Sequence, residues 1–220
     1  MAIRRCCCPK EIMYNTNYTK LDMRQTVLIC LLDDYADWEA AFLTTALNTG
    51  VVPGGECRYV PKIVAPTLDP VRSLGGFRVV PDYNFENLPE EYVALVLIGG
   101  TQWQSEEALR VRPLVEQAMA RGKIVGAICN AASWLAANGF LNQVRHTGNT
   151  LEQLQLWGGS QYTNASGYVE AQAVSDGRIV TANGTGTLEF ARELLLLLEA
   201  DVPERIQDWY RFNKQGLYSV

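Results

Sequence analysis

The chain has one histidine among its 220 residues. That scarcity excludes histidine-rich metal sites and leaves His146 as the sole imidazole for any acid–base step. No apolar run approaches the roughly 18 residues that cross a bilayer. Positive charge is not in excess: 19 Lys and Arg face 24 Asp and Glu, a formal net charge of −5. Such a surface gains little from a phosphate backbone or an anionic lipid face, which argues against nucleic acid and membrane as partners. No apolar segment of signal-peptide type follows Arg4 and Arg5, so a cytoplasmic protein with reduced thiols is expected. None of the six cysteines has zinc-finger spacing. No glycine-rich phosphate loop follows the first apolar run, so neither a nucleotide, another cofactor nor a metal is expected.

What is present is the balance of a globular core: 48% hydrophobic and 20% charged residues. The length fits one large domain, read as residues 23–220. Residues 1–22 have neither helical nor strand periodicity and read as a disordered N-terminal extension, with Met23 as a candidate start. The triplet Cys6-Cys7-Cys8 has a sharper reading, palmitoylation or metal capture, and a blander one, an unstructured tail.

From residue 24 onward strands and helices alternate. Thr26-Val-Leu-Ile-Cys-Leu-Leu is a continuous apolar run, as a strand covered on both faces requires. Trp38 to Leu47 has helical spacing and Gly50 stops it. Tyr59 to Ala65, Tyr92 to Ile98 and Lys123 to Ile128 are further strands, with turn-rich sequence over 79–86. Ser105 caps a helix expected to reach Ala120; Ala131 to Asn138 and Leu151 to Leu156 are helical. Asp176-Gly177 marks a hairpin, and helices are expected over 187–199 and 203–212. The order implies a mostly parallel sheet with helices on both faces, and ligands beyond the carboxyl ends of its strands.

The strongest chemical signal lies at such an end. Gly126-Ala-Ile-Cys-Asn-Ala-Ala132 joins a strand directly to a helix, with small neighbours where the two backbones pass closely. This elbow would push Cys129 into the cleft. The following helix N-terminus would favour its thiolate and lower its pKa. The N–H of Asn130, with those after Gly99, would form an oxyanion hole. The alternative is an inert buried cysteine at a strand end.

Two side chains could assist. Glu39 falls in the first turn of the first helix, where its carboxyl can point over the sheet edge toward Cys129; burial there would raise its pKa and make it a proton donor to sulfur. A solvent-facing helix-start glutamate is the competing reading. His146 either serves the sulfur or is a hydrogen-bonded structural histidine. Trp38, Trp103 and Trp157 either line a pocket or fill the core. Asp33 and Asp34 read as loop carboxylates.

Four segments together resemble the ThiJ/PfpI superfamily. They are Val27-Leu-Ile-Cys-Leu-Leu-Asp-Asp-Tyr-Ala-Asp-Trp-Glu39, Val96-Leu-Ile-Gly-Gly100, Val125-Gly-Ala-Ile-Cys-Asn130 and the closing stretch Ile179 to Ala191. The resemblance covers about residues 25 to 200. It implies a flavodoxin-like three-layer α/β sandwich with Cys129 as nucleophile and Glu39 as its partner carboxyl. It further implies Gly100 and Asn130 as oxyanion donors, His146 near the sulfur and a homodimer. Asn130 stands where PfpI-type peptidases carry a histidine, which puts proteolysis in doubt. The late His-x-Glu segment of class I glutamine amidotransferases is missing. The expected substrate is a small electrophile under glyoxalase-, deglycase- or hydrolase-like chemistry. The alternatives are a cysteine-based oxidative-stress sensor without turnover, or a PfpI-type peptidase or amidase using His146.

Overall fold

Alternate residues of the apolar runs face opposite layers, and that alternation builds the sheet. The computed structural model describes residues 24–52 and 54–216. The first strand, β1 (Gln25–Cys30), sends Leu28 and Cys30 to one face and Val27 and Ile29 to the other. Strand β6 (Ala94–Leu97) does the same with Leu95 and Leu97 against Ala94 and Val96. All eight of these residues are fully buried. Full burial of each large aliphatic side chain contributes about 1.5–3 kcal/mol.

Seven strands form one sheet in the order β5-β2-β1-β6-β7-β9-β8. The others are β2 (Tyr59–Ala65), β5 (Tyr83–Asn84), β7 (Ile124–Ile128), β8 (Ala173–Asp176) and β9 (Ile179–Ala182). Every pairing in this sheet is parallel except the β8–β9 hairpin, which forms at the Asp176-Gly177 signal with Gly177-Arg178 as its two-residue turn, Asp176 itself being paired with Ile179. Helices α1 (Asp37–Thr49), α6 (Thr187–Leu197) and α7 (Pro203–Gln215) pack on one face through Leu43, Leu47, Phe190, Leu194 and Ile206. Helices α3 (Arg112–Ala120), α4 (Asn130–Ala137) and α5 (Leu151–Gly158) cover the other. The result is the expected flavodoxin-like sandwich with helices on both faces.

Two details depart from the sequence reading. The helix expected from Ser105 to Ala120 is two: α2 (Glu106–Leu109), capped by Ser105, and α3. The break precedes Pro113, which has no N–H to bond the Leu109 carbonyl one turn back. The stretch from 71 to 79 adds a small antiparallel ladder, β3 (Val71–Arg72) with β4 (Arg78–Val79), too short to leave a period-two signal. The extension 1–22 and its cysteine triplet lie outside the described residues.

Among the described residues, no helix is long and apolar enough to cross a membrane, and no cluster of His, Cys, Asp and Glu could hold a metal ion. Cys129 directly follows β7, at the carboxyl edge of the sheet's centre.

Candidate active site

Strand β7 hands the chain to α4 at a single residue. Cys129 takes φ 60° and ψ −128°, a conformation that costs a residue with a Cβ about 1–3 kcal/mol. Its N–H donates to the Ala182 carbonyl (2.9 Å) of the neighbouring strand, and its carbonyl accepts from Ala132 and Ser133 in α4. Sheet and helix thus hold the strained residue from both sides. The side chain leaves the sheet half-buried, not sealed in the core.

Glu39 meets this sulfur. The carboxyl is 2% exposed, so the solvent-facing reading fails. Its Oε2 accepts the Gly99 N–H (2.7 Å), and the carboxyl lies against Cys129 with its Oε1 buried and unpartnered among the described residues. Burial drives its pKa from 4.5 up to about 7, against the lowering effect of Cys129 and Gly99. Gly99 is what allows the approach. A Cβ there would lie 2.4 Å from Glu39 Oε2 and 2.6 Å from Cys129 Cβ.

The sulfur differs from the expected thiolate. Burial first, then the negative charge of Glu39, pushes the Cys129 pKa up to about 11. The Asn149 amide and the Asn130 N–H lower it, but do not outweigh burial and charge. The resting pair therefore holds a proton at neutral pH, with Glu39 poised to accept it. The helix N-terminus weighs on this sulfur less than the sequence suggests, because the elbow also takes it out of water and sets it against a carboxyl.

The two oxyanion candidates, Gly100 and Asn130, are neighbours, with Asn130 Nδ2 donating to the Gly100 carbonyl (2.8 Å). The Gly99 carbonyl accepts the Ala36 N–H (3.0 Å), which turns the Gly100 N–H of the same trans peptide the opposite way. Among the described residues no acceptor takes that N–H. Asn130 opens α4 directly after the elbow, and its backbone N–H is close enough to the sulfur to lower the thiol's pKa.

His146 is not part of this assembly. It is wholly buried, with Nδ1 on the Val144 carbonyl (2.8 Å) and Nε2 on the Tyr162 hydroxyl (2.7 Å). A carbonyl only accepts, so Nδ1 carries the proton and Nε2 receives the Tyr162 O–H. Burial lowers its pKa, and it stays neutral. Its job is to anchor a loop. The His146 N–H and carbonyl bind Gly167 and Val169, and the Thr147 N–H binds Thr181 Oγ1 (2.8 Å).

That loop presents a residue the sequence reading missed. Asn149 places Nδ2 3.5 Å from the Cys129 sulfur, while its Oδ1 accepts the Gly184 N–H (2.9 Å). Gly184 closes over the sulfur, where a Cβ would stand 2.9 Å from Sγ. Trp38, 53% exposed, donates its indole N–H to the Gly184 carbonyl (3.3 Å) at the rim, whereas Trp103 is core. A cavity of about 810 Å³ opens beside Asn149, lined also by Leu151, Tyr168 and Gln172. The only hint in the sequence was a polar run after the sole histidine.

The profile of the DJ-1/PfpI family matches residues 25–197, which contain every residue of this site. The chain belongs to the DJ-1/PfpI family. Among its members, the Bacillus subtilis (strain 168) uncharacterized protease YdeA is 38% identical over 193 residues, covering 87% of this chain and 92% of its own. The Caenorhabditis elegans glutathione-independent glyoxalase DJR-1.2 is 26% identical over 140 residues, covering 62% of this chain and 71% of its own. The crystal structure of the DJ-1 superfamily protein Atu0886 from Agrobacterium tumefaciens has a TM-score of 0.77 at 34% identity. That match covers 87% of this chain and 98% of that one.

Proposed function

We propose that this DJ-1/PfpI protein is a cysteine-dependent enzyme acting on small 2-oxoaldehydes, with glyoxalase-like chemistry. The observation that carries the reading is the Glu39 carboxyl, poised near neutral pH, against the half-buried sulfur of a strained elbow. In the first step the Cys129 sulfur forms a bond to the aldehyde carbon as the carbonyl π pair moves to oxygen. The thiol proton passes to Glu39 and from there to that oxygen, giving a hemithioacetal. The Gly100 and Asn130 N–H groups are the donors for the developing negative charge. Glu39, again a carboxylate, removes the proton on the former aldehyde carbon, and the former ketone oxygen takes up a proton to give an enediol; Glu39 then returns its proton to the former ketone carbon as the hydroxyl on the sulfur-bearing carbon loses its own proton, leaving a thioester. Water then cleaves the resulting thioester, releasing a 2-hydroxy acid and the free thiol.

This route needs one titrating partner, and Glu39 is the one beside the sulfur. Amide cleavage also needs an acid for the leaving nitrogen, and the sole imidazole is bound to Val144 and Tyr162. The peptidase reading therefore lacks its histidine. The test is to follow methylglyoxal and its hydroxy-acid product by NMR, with wild type and Cys129→Ala side by side. Turnover by wild type alone supports the proposal. No turnover by wild type, or equal rates in the variant, sinks it.

The exposure of the thiols favours one second reading, oxidative sensing. Cys30 is wholly buried, whereas Cys129 is reachable beside a group that can share its proton. Under mild peroxide, peptide mass spectrometry should find Cys129 oxidised before Cys57 and Cys30. Equal oxidation of all three removes this reading.

A further inference from the structure

We propose that Asn149 is the fixed hydrogen-bond donor that favours the Cys129 thiolate, and that Gln153 is a positioning residue that holds this donor and the Gly100 turn through Asn130. The proposal rests on reading Cys129 as the nucleophile.

Three side-chain amides form a chain, Asn149–Asn130–Gln153, whose orientation is fixed by backbone partners of its first two members. Asn149 Oδ1 faces the Gly184 N–H (2.9 Å), and a backbone N–H can only donate. Its Nδ2 must therefore face the sulfur (3.5 Å) and Asn130 Oδ1 (3.3 Å). In the middle of the chain Asn130 Nδ2 faces the Gly100 carbonyl (2.8 Å), which can only accept. Asn130 Oδ1 must then receive both Asn149 Nδ2 and Gln153 Nε2 (2.8 Å). Flipping any of the three amides sets donor against donor or acceptor against acceptor.

The chain ties together separate parts of the fold. Gln153 lies in the first turn of α5, and its own N–H is fixed on the Thr150 hydroxyl (3.1 Å). Asn149 ends the loop that His146 and Thr147 anchor. Asn130 begins α4, Gly100 follows β6, and Gly184 follows β9. Removing the Gln153 amide leaves Asn130 Oδ1 with one donor in place of two and loosens the side chain that donates to Gly100 and receives Asn149.

The chemistry follows from what acts on the sulfur. Among the described residues Glu39, from α1, is the one charged group that does so, and it disfavours the thiolate. Against it stand two uncharged donors, the Asn130 N–H and the Asn149 amide. An amide dipole favours the anion without titrating itself, so the pH dependence of thiol reactivity belongs to Cys129 and Glu39 alone. A charged imidazolium in the same place would add a second titration.

The test is the rate of iodoacetamide reaction at Cys129 against pH, read by peptide mass spectrometry on the full chain. Thermal unfolding confirms that each variant is folded. Asn149→Ala should shift the profile upward and slow alkylation at pH 8 about tenfold, the loss expected for one hydrogen bond to a charged atom. Asn149→Asp, equal in size, replaces the donor with a second carboxylate and should slow it further. Gln153→Glu keeps the side chain's shape but cannot donate to Asn130 when ionised, and should slow alkylation about threefold in the same direction. An unchanged profile in folded Asn149→Ala overturns the donor assignment. An unchanged profile in Gln153→Glu overturns the positioning role. Methylglyoxal turnover is a separate readout: its absence in wild type with these shifts intact rejects the glyoxalase reading alone.

Discussion

Cys30 and Cys129 sit at the carboxyl ends of two parallel strands with only β6 between them, yet they occupy opposite chemical situations. Cys30 is the last residue of β1, wholly inside the layer formed with Leu28, Leu95 and Leu97, and burial alone drives its thiol far above the usual range. Cys129 lies one residue past β7 and turns out of the sheet at positive φ. It is half-buried beside Glu39, Asn149 and the Asn130 N–H, with its pKa pushed to about 11. One step along the chain separates a thiol packed only among apolar side chains from a half-buried one beside a proton acceptor and two donors. Burial makes both thiols weak acids; only the elbow gives one of them neighbours that can move its proton.

The sharpest way to break that comparison is to remove each sulfur in turn. Cys129→Ala should lower methylglyoxal turnover by at least about 10³-fold. Cys30→Ala should leave kcat/KM within about twofold and cost about 1 kcal/mol in urea unfolding. Equal activity losses would make the two thiols alike and remove the elbow's significance.

Glu39→Gln comes next, and its two readouts should move in opposite directions. Turnover should fall about 10²-fold or more with the loss of the proton acceptor. Alkylation of Cys129 at pH 8 should rise, because the charge that disfavours the thiolate is gone. Stability carries a further sign. The Glu39 pKa is raised from 4.5 to about 7, so its contribution to folding is fully present below pH 4.5 and lost as pH rises through 7. Above that pH the buried carboxylate costs about 3 kcal/mol relative to its neutral form. The stability of Glu39→Gln against urea should vary less over this window, and the variant should be the more stable protein at pH 8. Matching slopes for variant and wild type would mean that Glu39 titrates as an ordinary glutamate.

Smaller effects come from the scaffold. Gly99→Ala should cost about 1–3 kcal/mol and slow turnover, since the added carbon meets both Glu39 and Cys129. Smallest for activity is His146→Gln. It should lose about 1–3 kcal/mol of stability with its buried bonds, while turnover per folded molecule stays within about threefold. A large activity loss in a stable His146→Gln protein would return the histidine to the site.

The legible part of the site was the part written in neighbouring residues. Gly126 to Ala132 carries its own signature, because an elbow needs small residues beside its strained centre. Glu39 could be placed because the start of a helix after a parallel strand must lie at the carboxyl edge of the sheet. Asn149 left no such trace. Its role depends on the Thr147–Thr181 anchor and on Gly184, both supplied by segments far away in sequence. His146 drew attention as the only imidazole, and it identified the correct loop but not the residue that faces the sulfur. Gly184 lay unremarked within the closing stretch Ile179 to Ala191, although its missing side chain is what lets the chain pass over Sγ.

The Trp38–Gly184 hydrogen bond joins positions 146 apart, and between them the chain contributes Glu39, Gly99, Cys129 and Asn149 in turn. No fragment ending before Gly184 contains the full environment of the sulfur. During synthesis the thiol emerges well before its surroundings are complete, as an ordinary cysteine whose acidity is set by water. Its altered reactivity arrives only when β9 docks beside β7, so the chemistry of one atom reports that the last central strand has found its place.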